Sequence, residues 1–200
     1  DAKDIVALQR LMKRLAPKKT LLPKTVAKVE RPEAVKNIRR IADVADAIMI
    51  GRGDLALEAD ATKLVLMQKD IIAVSRKRGK PVIVATQMLE SMMTSPQPTR
   101  AEISDITNAA IDHADATMLS GETAGGNYPV KACHTMAMIL KATEQSRYDN
   151  VVPFSGRPRG DAVVARAVAE FVRLTPLRLL LIMPGAVRAH LALIVAERPE

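Results

Sequence analysis

Four short aliphatic runs, each followed by a helix-like stretch, constrain this chain more than any other feature. Lys24 to Glu30, Ala47 to Ile50, Pro81 to Ala85 and Ala116 to Leu119 read as buried-type strands. Around them, apolar Ile5, Leu8, Met12 and Leu15 mark a helix over 3–15, and Pro32 opens another over roughly 32–43. A third runs over about 60–78 and stops at Arg76-Lys77-Arg78-Gly79. Thr99 with Glu102 three residues on forms a capping box for a helix to about Asp112, and Pro129 opens one to about Gln145. Strands that alternate with helices need βαβ crossovers, hence a parallel sheet and an α/β fold.

A weak internal repeat sharpens the fold class. Asp43-Val44-Ala45-Asp46-Ala47-Ile48-Met49 echoes Asp112-His113-Ala114-Asp115-Ala116-Thr117-Met118 at an offset of 112 − 43 = 69. That step is two βα units, and in a (β/α)₈ TIM-type barrel alternate strands feed the same interior layers. A doubly wound sheet predicts no such echo. The expectation is a barrel of which about four βα units are present, over residues 1–146. Residues 147–160, rich in Pro, Gly and Arg, read as a linker, and 161–200 as the start of a small α/β domain.

Composition narrows the function classes. With two Tyr, two Phe and no Trp, the core must be aliphatic and Met-built. The same scarcity removes the stacking platforms that single-stranded nucleic acid needs. Thirty Lys and Arg against twenty-two Asp and Glu leave +8, but Arg39-Arg40 and Arg76-Lys77-Arg78 fall in a helix and at a helix C-terminus, where cations offset the dipole. No nucleic-acid partner is expected. Cys133, the only cysteine, cannot form an internal disulfide and reads as a small packing residue in a reducing, cytoplasmic setting. No apolar run approaches the ~20 residues that span a bilayer, so no membrane is expected. The opening Asp1-Ala2-Lys3-Asp4 has no initiator Met, as in a processed or excised piece.

Parallel-sheet folds place chemistry in the loops after the C-terminal strand ends. The first run ends Lys28-Val29-Glu30, and a spacing of two puts Lys28 and Glu30 on one face. Taken alone, they also suit an ion pair on a strand edge. The second ends Gly51-Arg52-Gly53-Asp54, a turn on which glycines let backbone approach a ligand. Glu30 and Asp54 then share one end of neighbouring strands, and two carboxylates are how proteins commonly hold Mg²⁺. A Lys beside that metal suits a phosphoryl group or a developing enolate. Thr86 after the third strand and Ser120-Gly121-Glu122 after the fourth add polar groups to the same rim. His113, His134 and His190 have no partner at metal-ligand spacing and read as loop or surface residues. Met88, Met92 and Met93 read as packing around the rim.

The segments VAKVE (26–30), MIGRGDLALE (49–58), GKPVIVATQMLESM (79–92), PTRAEISDITNAAIDHADATMLSGETAGGNYP (98–129) and ERP (197–199) closely resemble the pyruvate kinase family, in family order. The resemblance implies a (β/α)₈ barrel, represented here by its last four βα units, followed by part of a small C-terminal α/β domain. It implies transfer of the phosphoryl group of phosphoenolpyruvate to ADP, then protonation of the enolate. Glu30 and Asp54 would hold Mg²⁺ or Mn²⁺, and Lys28 would stabilise the phosphoryl group in flight. The backbone around Gly53 and Asp54, with the Thr86 hydroxyl, would bind the substrate carboxylate. Thr86 would order the protonating water, and Ser120 and Glu122 belong to a proton relay. The family's first half, with its Asn-Phe-Ser-His segment, its K⁺ ligands and the lid over ADP, has no counterpart here; the only Phe residues are Phe154 and Phe171. Ala56 replaces a family glycine, a strain if that position needs positive φ, and Met183-Pro184-Gly185-Ala186 replaces a hydroxyl-rich phosphate turn.

Two rivals stand beside the kinase: a catalytically silent binding or regulatory subunit, and metal-dependent enolate chemistry without ADP. An open half-barrel leaves unpaired edges and an uncovered apolar interior, so a homo-oligomer or a complementary N-terminal chain is expected.

Overall fold

The computed structural model describes residues 1–17 and 21–148, together with Val163 and Ala167. With those two exceptions, the readings placed on residues 149–200 lie outside the described residues; these include nearly all of the linker and the second domain.

Helix α1 (Ala2–Leu15) begins with Asp1 as its cap in a capping box with Asp4. Four parallel strands follow: β1 (Val26–Val29), β2 (Ala47–Gly51), β3 (Val82–Ala85) and β4 (Ala116–Met118). They lie side by side in the order β1-β2-β3-β4. In chain order the helices after α1 are α2 (Pro32–Lys36), α3 (Ile38–Val44), α4 (Arg52–Glu58), α5 (Leu64–Arg76), α6 (Arg100–Ile111), α7 (Gly121–Ala124) and α8 (Pro129–Glu144). Each strand is thus followed by helix, as the alternation predicts.

The helix expected over 32–43 is interrupted at Asn37, whose ψ of 8° leaves the helical well while its side-chain amide donates to the Glu33 carbonyl. The helix expected from 60 starts with a 3-10 turn, Ala61–Lys63, capped by Asp60. The capping box at Thr99 forms as read. Its Glu102 also accepts from Ser91 N (2.7 Å) and Ser91 Oγ (2.5 Å). Burial alone would raise the Glu102 pKa, but these bonds and those from Thr99 hold it below the usual value.

Register fixes which side chains share a face. Val26 pairs with Ala47 and Lys28 with Met49, while Met49 pairs with Ile83 and Ile83 with Ala116. That face is exposed or half-buried at Val26, Lys28, Met49, Ile83 and Ala116. The opposite face carries Val29, Ile48, Ile50, Val82 and Val84, all fully buried with Ile71, Ile72, Met88, Met92 and Ile106. Among the described residues, helices therefore cover one side of the sheet and leave the other open. As expected from the composition, this core is entirely aliphatic and Met.

The repeat has a physical cause. Asp46, just before β2, accepts from Thr25 N (2.8 Å), and Asp115, just before β4, accepts from Val82 N (2.7 Å). In return Asp46 N donates to Thr25 O and Asp115 N to Val82 O. Each aspartate clips the start of the preceding strand to its own. The bond from Thr25 N, reinforced by Thr25 Oγ1 and Lys24, lowers the Asp46 pKa from 3.8 to about 2. A depressed carboxylate stabilises the fold above its unfolded pKa and ceases to do so as pH falls through the folded one. Asp46→Asn is therefore expected to lose about 1–2 kcal/mol at neutral pH, allowing for solvent screening. The loss should shrink between pH 4 and pH 2. Urea melts of both proteins across that range check it; a pH-independent difference would refute the clip.

Cys133, read as a packing residue, is exposed instead. On α8 the buried stripe is carried by Ala132, Met136 and Thr143, which turns the neighbouring position outward. No helix among the described residues is long and apolar enough to cross a membrane.

Candidate active site

Lys28, Glu30, Asp54, Thr86, Ser120 and Glu122 all lie at or just beyond the C-terminal strand ends, which the parallel order of the sheet sets along one rim. Lys28 Nζ lies 2.5 Å from Glu30 Oε1, with both side chains partly exposed. Continuing the β1–β2 register past Val29 and Ile50 sets Glu30 opposite Gly51. The Glu30 side chain folds over that glycine so closely that a Cβ there would come within 2.6 Å of Glu30 Cγ and Oε1. Gly51 is needed for room, not for a special backbone angle, since its φ is −91°.

Asp54 lies in the first turn of α4 and is exposed. The sequence reading made Gly51 to Asp54 a turn; the structure continues it as helix from Arg52. Ala56 consequently sits inside α4, so the strain expected there does not arise: the positive-φ residues other than glycine, among those described, are Thr86, Gln87 and His113. The Lys28 pKa is raised, first by its hydrogen bond to Glu30 and, against burial, by the charges of Glu30 and Asp54. Both carboxylates thus act on one ammonium.

Those two carboxylates fit a divalent ion of the hard, oxygen-seeking kind, which takes one or two protein carboxylates and completes its shell from water and substrate. Among the described residues no cluster of three or more His, Cys, Asp or Glu could enclose a metal by itself.

At the end of β3 the chain makes an unusual turn. Thr86 (φ 68°) and Gln87 (φ 54°) are consecutive left-handed residues, and such conformations cost of order 1–3 kcal/mol each. For β-branched Thr86 this is a genuine outlier. Its Oγ1 accepts from Gly53 N (2.9 Å) and donates to Ala85 O (2.6 Å). Below the turn lies Arg52, 5% exposed. Its Nε and Nη2 donate to Thr86 O (3.2 and 2.8 Å), and Nη2 also to Gln87 O (3.1 Å). Nη1 pairs with the Asp105 carboxylate on α6. Sequence reasoning passed over Arg52; its place between two glycines, with buried Ile50 and Leu55 nearby, was the available signal.

Glu122, 2% exposed, spends its carboxylate on backbone: Oε1 accepts from Leu89 N (3.1 Å) and Oε2 from Ser120 N (2.7 Å). It joins the loop after β3 to the loop after β4. The Ser120 hydroxyl is buried without a hydrogen-bond partner. His134 is exposed on α8, and Met88 and Met92 are fully buried, as read.

A family model described as pyruvate kinase, barrel domain, matches residues 1–133. "Pyruvate kinase 1" of Candida glabrata is 48% identical over 153 residues, which is 73% of this chain and 30% of that protein. A "Pyruvate kinase" of Geobacillus stearothermophilus is 45% identical over 154 residues, 77% of this chain and 26% of that protein. In three dimensions the chain superposes on a Cryptosporidium parvum pyruvate kinase with a TM-score of 0.85 at 32% identity, covering 100% of this chain and 42% of the other. The aligned stretch is thus between a quarter and a third of the curated relatives' length.

Proposed function

The chain belongs to the pyruvate kinase family, and from that premise we propose that it carries the metal and enolate side of a site transferring the phosphoryl group of phosphoenolpyruvate to ADP, giving pyruvate and ATP. The observation that carries this reading is the Lys28–Glu30 pair at the strand-end rim, with Asp54 in the first turn of the helix that follows the neighbouring strand.

Glu30 and Asp54 would hold Mg²⁺ or Mn²⁺. When bound, the ion supplies charge neutralisation at the substrate's carboxylate and enolate oxygens. Lys28, kept protonated by its carboxylate neighbours, presents a compact positive charge to the moving phosphoryl group. Gly53 N is already engaged with Thr86 Oγ1, so an arriving carboxylate takes over that bond and adds the Asp54 amide. Thr86 then stands beside the enolate, where it orders the water that protonates it. Ser120, with its unspent hydroxyl, fits a proton relay better than Glu122, whose oxygens are occupied by backbone. K⁺ would be held by residues outside this chain, as would the lid over ADP. Within the described sheet, β1 and β4 each have an unpaired edge, which a second copy or an N-terminal chain would cover. The setting would be cytoplasmic, with glycolysis.

The test is pyruvate formation from phosphoenolpyruvate and ADP with Mg²⁺ and K⁺, with and without the family's N-terminal half supplied as a separate chain. Activity appearing only with that half is expected. Metal binding without activity in either arm would leave a silent binding subunit.

A further inference from the structure

The turn at Thr86 and Gln87 is held in place by a side chain that touches no reacting group. Two consecutive left-handed residues point their carbonyls the same way, so their dipoles converge on one side of the turn. Arg52 fills that side with donors from Nε and Nη2 to both oxygens. Its other nitrogen is anchored on Asp105 and lies 3.5 Å from Gln68 Oε1. The next residue, Gly53, takes the Thr86 hydroxyl from the opposite side. Two successive residues of α4 therefore grip Thr86 by its carbonyl and by its hydroxyl.

We propose that Arg52 is a positioning residue: its guanidinium fixes the left-handed turn and so aims the Thr86 hydroxyl at Gly53 N and at the carboxylate of an incoming substrate. The ligand half of this statement rests on the function proposed above; the geometric half does not. Lysine cannot replace the fork, since the three donors of an ammonium radiate from one atom and cannot span acceptors that Nε, Nη1 and Nη2 serve separately.

Hydrogen exchange at Gly53 reads the geometry directly, with Ile48, whose amide donates to Pro81 O (2.9 Å), as the core reference. Thr86→Ala should speed Gly53 exchange roughly tenfold, the worth of one such bond. Arg52→Lys should do the same with Ile48 unchanged, and the double variant should go no further than Thr86→Ala alone. Asp105→Asn, which keeps the guanidinium but removes its anchor, should move Gly53 in the same direction by less, and serves if Arg52→Lys does not fold. Gly53 unchanged in whichever of these variants folds, or Gly53 and Ile48 accelerating in step as a merely structural role requires, overturns the proposal.

Phosphoenolpyruvate binding in the presence of Mn²⁺ is measured on the same set. Arg52→Lys should weaken it in the parent and leave it unmoved in the Thr86→Ala background. Further weakening there overturns the inference, because Arg52 then acts on the ligand without Thr86. If Thr86→Ala binds as the parent does, the ligand reading of Thr86 fails while the exchange result still judges the positioning role.

Discussion

Glu30→Gln should weaken Mn²⁺ binding by about 100-fold, equivalent to nearly 3 kcal/mol. The substitution keeps size and shape but removes one of the two charges available to the ion. It also removes the counter-charge of Lys28, whose ammonium pairs with Glu30 at 2.5 Å, leaving that positive charge uncompensated beside the site to repel the metal. The effect should not be confined to the ligand itself. Gly51→Ala, at a backbone angle any residue accepts, pushes a methyl to within 2.6 Å of the Glu30 side chain. Displacing a ligand in this indirect way costs ~10-fold or more in metal affinity. Calorimetric titration with Mn²⁺ separates the three proteins. Equal affinities throughout would mean that the ion, if bound, sits elsewhere, and the assignment of Glu30 and Asp54 would fall.

Glu122→Ala should be the most destabilising change at the rim, lowering stability by about 2–5 kcal/mol. Two amides, Leu89 N and Ser120 N, lose their acceptor in a place that water reaches poorly, and each buried unsatisfied donor costs roughly 1–3 kcal/mol. A cavity of carboxyl and methylene size adds to this. For a chain of this length a loss of that size lowers Tm by very roughly 10 °C. Glu122→Gln should fall between the two, because one amide oxygen can serve a single N–H while its own NH₂ faces the other. A thermal melt of Glu122→Ala within about 2 °C of the parent would show that the loops are held by something else.

How much of this could be read from the letters depended on whether the cause was local. Strand and helix alternation was legible because burial on one face leaves aliphatic runs such as Ile48 to Ile50, and the Thr99–Glu102 cap because both partners are three residues apart. The break at Asn37 was not, since Val35, Ile38 and Ile41 keep an unbroken apolar period through it. Residues 51–54 read as a turn because two glycines disfavour helix on their own, whereas in the structure the sheet and Thr86 hold α4 in place. The carboxylate pair followed from strand-end logic. Arg52 did not, for its meaning depends on carbonyls 34 and 35 positions away and on Asp105, 53 positions away. Cys133 reads as buried but is exposed, because a small residue beside a buried stripe carries no periodic mark of its own.

The two aspartate clips lie at the lower ends of the first and third seams of the sheet, β1 to β2 and β3 to β4. The middle seam has no such acid among the described residues; there Pro81 O receives Ile48 N and Lys80 reaches the Ala45 carbonyl. At the upper end the fastening changes over, and it is this middle seam that Arg52 and Gly53 stitch to Thr86. The floor is thus held by carboxylates along the outer seams, whereas the brim adds a guanidinium stitch on the middle seam to the Glu122 tie on the third. Acid that neutralises the floor leaves the guanidinium stitch charged, so the geometry that receives an anion can outlast loosening underneath it.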